Sequence, residues 1–441
     1  MPDELEAALG AALADGTGPG ITAALVGGDG TIRVAAAGLA DVQARLAMTA
    51  DTQLAMGSVS KSLTAGLILR LRDRGVVSLE DPLVRHLPEV AGFGDPFGAA
   101  TTVSLRDVFR HLAGLPGEAP SPDPRTWDPA PVASVLAQPG AVTWAIPPRA
   151  AFKYSNLGYE LLGEVAARAG GRSYAELVRE ELLEPLGMAA TSLGPSSAAA
   201  RGHAPASSTG DRAAAGPGPD GGAAGGWWST AGDLARWVAL QLAPEAGPAG
   251  WLPGTTREAH RPVVVTNDRL GAAYGLGWRV ARRDDHVHVG HGGLTTGFEA
   301  RVELDSEHGI GVVVLLNGIG PAEPTMRLTA TLLALAGDGE PRAAERPAAP
   351  SAPPGPDPTG LAGRYREVGF ETLVTIEPTI AGPWLRTDGD AGGPLVPTGD
   401  PDRYRIEHGR SAGELLTVLR DRDGAIDGIN VAGYPMARLP D

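Results

Sequence analysis

Residues 52–75 read TQLAMGSVSKSLTAGLILRLRDRG. Apolar residues at 59, 63, 67 and 71 recur every four positions, so they follow one face of a helix and drift slowly around it. The arginines of the last turn and Gly75 mark where that helix stops. Ser58 and Lys61 lie three apart at its start, which places them on one face. The free N–H groups and the positive end of the helix dipole stand beside Ser58. The lysine is the unusual residue. Of 37 Lys+Arg, only Lys61 and Lys153 are lysines. Arginine keeps its proton at any ordinary pH, whereas lysine can exchange one. A lysine one turn from a serine is therefore a candidate to take the hydroxyl proton and make Ser58 a nucleophile. Ser-x-x-Lys by itself also arises by chance, and its plain reading is a surface lysine on a helix.

The chain has 441 residues, 43% hydrophobic and 20% charged, which suits a globular protein of two or three domains. A net charge of −15 argues against non-specific binding to nucleic acid or to anionic membranes. With no cysteine, disulfides, thiol catalysis and thiolate metal sites are excluded. The opening MPDELEAALGAALADGTGPG is acidic and reads as a short amphipathic helix, without the basic and apolar regions of an export signal. No apolar run reaches the length of a membrane span. A cytoplasmic protein is expected, with neither nucleic acid nor membrane as partner.

ITAALVGG and TIRVAAAG read as a hairpin around Gly-Asp-Gly. Helical patterns follow at 104–113, 156–169, 173–184 and 230–242, then strands at YGLGWRVA, HVHVGH, FEARVELD and GIGVVVLLN, and a last helix near 322–336. Helices enclosed between early and late strands imply an α/β (α+β) sheet with edges from both chain ends and a helical region inserted. Residues 193–226 read as a long mobile loop. Residues 339–358 form a Pro/Ala-rich linker. Beyond it, 359–441 alternates short strands with Gly/Asp turns, as a small all-β barrel or sandwich does. The expected domains are 1–338 and 359–441.

Two further stretches carry chemistry. In FKYSNLGYELLGEV, Tyr154 and Asn156 precede a helix. The phenol suits proton transfer and the amide suits orientation; the plain alternative is a turn in which Asn156 caps the helix. Lys153 reads as a solvated charge. In HVGHGGLTTGF, Gly292 and Gly293 let a substrate backbone approach the strand, and His291 is placed to hold an acyl or carboxylate group or to support Tyr154. His286, His288 and His291 invite a metal reading, but no carboxylate trio follows them, so neither metal nor cofactor is expected.

In this order, Ser-x-x-Lys, Tyr-x-Asn and His-Gly-Gly resemble the serine β-lactamase and penicillin-binding-protein clan, in its class C/esterase branch. DPLVRHLPE, LRDVFRHLAGLPG, WWSTAGDLARW and YGLGWRV are similar to that clan as well. The resemblance spans about residues 5–337 and implies a sheet flanked by helices with an all-helical region. The 359–441 segment resembles the lipocalin-like domain appended in several members. It further implies Ser58 as nucleophile, Lys61 as its base, and Tyr154 as acid/base for leaving group and acceptor. Asn156 would bind Lys61 or the substrate amide, and His291 would replace the third-motif lysine. The backbone N–H groups of Ser58 and Leu294 would form the oxyanion hole. A histidine at 291 removes a permanent cation that grips β-lactam carboxylates, so efficient β-lactamase activity is not expected.

The layout is similar to penicillin-binding-protein-type thioesterases, which release and macrocyclise non-ribosomal peptides. That implies a peptidyl thioester or ester substrate, presented by a carrier protein, with Arg438 as a candidate contact for the peptide. The alternative is an esterase or D-amino-acid peptidase that uses water as acceptor. A once-acylated sensor is a third reading. No G-x-S-x-G occurs, which disfavours an α/β-hydrolase.

Overall fold

The N-terminal hairpin lies along one edge of a sheet, covered on its outer side only by the two-residue strand Leu46–Ala47, while its first strand runs inside the sheet. In the computed structural model, strand Gly20–Gly27 pairs antiparallel with Ile32–Asp41 on one side and with the late strand Ile310–Leu316 on the other. The resulting nine-stranded sheet runs Leu46–Ala47, Ile32–Asp41, Gly20–Gly27, Ile310–Leu316, Phe298–Asp305, His286–Thr295, Arg279–Arg283, Ala272–Tyr274, Val264–Val265. The first strand in the sequence and the last strand of this sheet therefore meet in its middle. The run Val312-Val313-Val314-Leu315-Leu316 is apolar on both faces and is buried along its length, which a central strand requires and an edge strand does not. The structure describes residues 4–125, 129–203, 222–266, 272–283, 286–319, 324–337, 357, 359–367, 372–380, 382–387, 392–407 and 411–440. Most of the expected loop 193–226 and all of the expected linker 339–358 except 357 lie outside these residues.

The chain divides into two compact units, Met1–Asp81 with Tyr159–Ala343, and Pro82–Gly158 with Ala344–Asp441. In the first, Leu5, Leu9, Leu328 and Leu332 from the helices Glu4–Ala14 and Pro324–Ala336 pack on Ile21, Ala23, Val312 and Val314. A fully buried leucine of this kind contributes about 1.5–3 kcal/mol. The opposite face carries the helix Ala231–Leu242, whose Val238 packs so closely on the sheet that a methyl group at Gly311 would lie 2.3 Å from it. The described ends of the 193–226 loop are ordered: Ser192–Leu193 pairs with Trp227–Ser229 in a small three-stranded sheet.

A tryptophan cluster closes this face. Trp237 stacks on Trp278 at 6.5 Å and meets Trp251 edge-on at 6.0 Å. His260 stands edge-on to Trp278 at 5.3 Å and its Nε2 donates to the Gln241 side-chain carbonyl at 3.1 Å. Burial lowers the His260 pKa to about 4. Below pH 6.5 the unfolded chain takes up this proton and the folded chain does not, so stability falls as pH drops from about 6.5 toward 4. Between pH 7 and 5 this one group is expected to remove roughly 2 kcal/mol. Urea unfolding at both pH values checks it: His260→Asn should shrink the wild-type difference, and an unchanged difference would remove His260 as its source.

The second unit holds a closed antiparallel barrel of eight strands from Gly363–Glu367 to Tyr434–Arg438, with the first and last strands paired. Alternating side chains fill it, among them Tyr365, Val374, Ile376, Leu395, Ile406, Leu416, Ile429 and Met436. The barrel packs on part of 82–158. Asn430 Nδ2 donates to the Pro124 carbonyl at 2.7 Å, and Arg125 pairs with Asp427 at 3.1 Å. Lys153 is not a solvated charge. It is 1% exposed and forms an ion pair with Glu414 of the barrel, which also accepts the Gly117 N–H at 3.1 Å.

Candidate active site

Ser58 sits in the single 3-10 turn Gly57–Val59, which feeds directly into the helix Ser60–Asp73. Lys61, on the first turn of that helix, is fully buried. Its Nζ lies 3.0 Å from Ser58 Oγ and donates to the Ala224 carbonyl at 2.7 Å. The Tyr159 ring centroid is 5.5 Å from the same nitrogen. The plain reading of a surface lysine therefore fails: the amine is held out of water against the hydroxyl. The carbonyl that anchors it is itself held. Glu160 accepts the backbone N–H groups of Gly222, Ala223 and Ala224 at 2.9, 3.3 and 2.9 Å, and Thr64 Oγ1 donates to the Ala223 carbonyl at 2.6 Å. Nothing in the spacing around Glu160 announces this role.

The strand His286–Thr295 runs past the Ser58 turn at its two glycines. A methyl group on Gly293 would stand 1.9 Å from the Met56 carbonyl oxygen and 3.0 Å from the Ser58 amide nitrogen. One on Gly57, whose φ is +49°, would stand 2.8 Å from the Leu294 amide nitrogen. The amides of Ser58 and Leu294 are thus brought together, the arrangement two oxyanion donors need. Gly292 has more room; a methyl group there would meet its nearest neighbour, Arg301, at 3.7 Å. Gly293→Ala should force either the strand or the Ser58 turn to move, lowering the rate of serine acylation by about 10²-fold, the usual loss for a displaced oxyanion donor. Labelling with a fluorophosphonate checks this. A wild-type labelling rate would show that the close approach at 293 does not set the pair.

His291 is 2% exposed and turns into the same sheet. Its Nδ1 lies 2.7 Å from the Gly292 carbonyl, and its Nε2 lies 3.0 Å from Tyr274 Oη. A carbonyl can only accept, so Nδ1 carries the proton and Nε2 accepts from the Tyr274 phenol. Burial, and then the nearby Arg279 charge, hold the His291 pKa well below the ordinary histidine value. The residue in the third-motif position is therefore a neutral imidazole with a tyrosine partner. Tyr274 falls inside the YGLGWRV phrase, but no spacing rule assigned it to His291.

The second unit carries Tyr154 and Asn156. Tyr154 is buried, its ring 4.4 Å from that of His111 at an angle of 34°. The helix Asn156–Gly170 is capped by Ser155, whose Oγ accepts the Gly158 N–H at 2.9 Å and donates to the Pro116 carbonyl at 2.6 Å. Asn156 is thereby released from the capping role, and its Nδ2 donates to Glu118. Tyr434 of the barrel donates to the same Glu118 carboxylate and lies 3.4 Å from Asn156 Nδ2. No local pattern in the sequence marks Glu118 or Tyr434 for this role. Arg438 lies at the barrel seam, where Nη1 and Nη2 donate to the Gly360 and Ala362 carbonyls at 3.0 and 2.8 Å.

A family model described as Beta-lactamase matches residues 5–364. The D-alanyl-D-alanine-carboxypeptidase/endopeptidase AmpH of Escherichia coli (strain K12) is 31% identical over 213 residues, 44% of this chain and 50% of AmpH. Protein flp of Staphylococcus aureus is 25% identical over 296 residues, 64% of this chain and 56% of flp. The chain thus spans about half the length of the curated relatives it matches. Among solved structures, the octameric penicillin-binding protein homologue from Pyrococcus abyssi has a TM-score of 0.64 at 22% identity, over 99% of both chains. SurE has a TM-score of 0.65 at 23% identity, over 99% of this chain and 98% of its own. The class C beta lactamase from Rhodobacter sphaeroides has a TM-score of 0.63 at 22% identity, over 75% of this chain and 99% of its own. Among the described residues, no helix is long and apolar enough to cross a membrane.

Proposed function

Because the chain belongs to the β-lactamase family, a family of serine hydrolases, we propose that it works through an acyl-enzyme on Ser58 and releases a peptide from a thioester by macrocyclisation. The observation that carries the acyl-enzyme is the buried Lys61 amine, 3.0 Å from Ser58 Oγ and fixed by the Ala224 carbonyl. In this reading Ser58 Oγ attacks the thioester carbonyl as its proton passes to Lys61. The amides of Ser58 and Leu294 take the oxyanion, and the carrier's thiol departs with a proton. The peptide's own amine then attacks the ester, and its surplus proton returns through Tyr154 or Lys61 to the enzyme as Ser58 is freed. Asn156, oriented by Glu118 and Tyr434, holds the amide of the acyl group. Neutral His291 lines the strand without the cation that a β-lactam carboxylate needs.

Two features support the peptide thioester over other donors. Likeness to SurE extends over the barrel as well as the sheet, and SurE has also been solved with D-Leu, a D-amino acid. The barrel joins the second motif through Tyr434, which lies 3.4 Å from Asn156 Nδ2. A carrier-borne substrate in the cytoplasm completes this reading. The second reading, a D-amino-acid peptidase or esterase with water as acceptor, is favoured by the 31% identity to AmpH. A peptidyl thioester mimic with a D-residue at its C-terminus separates the two by mass spectrometry. A cyclic peptide supports the first reading; linear acid as sole product replaces it with the second.

A further inference from the structure

We infer that the end of the motif strand remote from Gly293 is a binding site for a first-row transition-metal dication, zinc above all, with His286, Asp305 and His308 as its ligands. Read along the strand, His286, His288 and His291 look like one series, but the fold divides them. His291 goes to Tyr274, whereas His286 opens the strand. The adjacent strand ends at Asp305, opposite His288, and the turn that follows carries Glu307 and His308 back toward Ile310–Leu316. The carboxylate absent from the local sequence is therefore supplied by the neighbouring hairpin. One ring nitrogen from each of His286 and His308 and a carboxylate oxygen of Asp305 all lie within 4.8 Å of one another. The two imidazole centroids are 4.5 Å apart.

Asp305 is prepared for the part. Its Oδ1 accepts the backbone N–H groups of Glu307 and His308, both at 3.1 Å, which turns Oδ2 toward His308 Nδ1 at 2.8 Å. His286 Nδ1 lies 3.1 Å from Glu307 Oε2, so a second carboxylate is within reach. Asp305 is buried, while the side chains of His286 and His308 are 39% and 47% exposed, leaving a path for an ion. Two imidazoles with a carboxylate are a borderline donor set that suits zinc, nickel or copper and not the oxygen-seeking calcium or magnesium. The ion would tie together the ends of three neighbouring strands.

Zinc chloride titrated calorimetrically into the untagged, EDTA-treated and dialysed full chain tests the site. Binding of one equivalent is expected, with Kd of about 10 μM or tighter, and His286→Gln and His308→Gln should each weaken it at least about tenfold. His288→Gln, next to the site and paired with Glu303, should leave Kd within about twofold. Zinc should also raise the thermal midpoint of the wild type and of His288→Gln but not of the other two variants. If His308→Gln does not fold, His286→Gln decides alone. Absence of a one-equivalent site, or equal affinity in wild type and His286→Gln, overturns the proposal and leaves only imidazole–carboxylate pairs.

Discussion

Ser58→Ala is expected to abolish acyl-enzyme formation, with a loss on the order of 10⁶-fold, as removal of a serine nucleophile costs elsewhere. The side chain at 58 is the hydroxyl that the buried amine faces, and no neighbouring group on the described turn Gly57–Val59 can replace it. The fold should survive. Lys61 loses one contact but keeps the Ala224 carbonyl, and the packing of the helix Ser60–Asp73 through Leu63, Leu67 and Leu71 is untouched. Intact-mass spectrometry after incubation with a fluorophosphonate or an activated ester reads the result. The wild type should gain one acyl or phosphonyl group and the variant none, while the thermal midpoints stay close. An adduct forming at the wild-type rate would place the nucleophile elsewhere and end the acyl-enzyme proposal.

Lys61→Arg is the second large effect and the more discriminating. A guanidinium preserves positive charge near Ser58 but cannot take the hydroxyl proton. It is also planar and larger, in a position with no exposed surface. If Lys61 is the base, Lys61→Arg should be nearly as damaging as Lys61→Ala, each lowering acylation by about 10³–10⁴-fold. If the lysine only stabilises developing negative charge, arginine should retain most of the activity. Pre-steady-state release of p-nitrophenol from an active ester measures the step directly. An arginine variant within about tenfold of wild type would remove the proton from the mechanism assigned to Lys61.

What was legible in the sequence is what repeats over short distances. Apolar residues four apart announced the helix Ser60–Asp73, and alternation announced the barrel strands. Ser58 and Lys61 share one turn, so their contact follows from helical geometry. The partners that complete the site lie far along the chain: Tyr274 is 17 residues from His291, Ala224 is 163 from Lys61, and Tyr434 is 316 from Glu118. No local period encodes such pairs. Lys153 looks solvated in the sequence for a similar reason. Its stretch FKYSN looks like a polar turn, and only the barrel brings Glu414 to it and makes burial of the charge tolerable. Asn156 opens a helix and so looks like a cap, but Ser155 performs that task, one residue earlier.

Both lysines are withdrawn from solvent, one beside Ser58 and the other against Glu414. The surface of this protein therefore presents guanidinium groups as its cations and no side-chain primary amine. Electrophilic esters and thioesters acylate amines and ignore guanidinium ions. If the chain handles activated acyl groups as proposed, its exterior offers them no lysine to derivatise, and the side-chain amine nearest the nucleophile is the one beside Ser58.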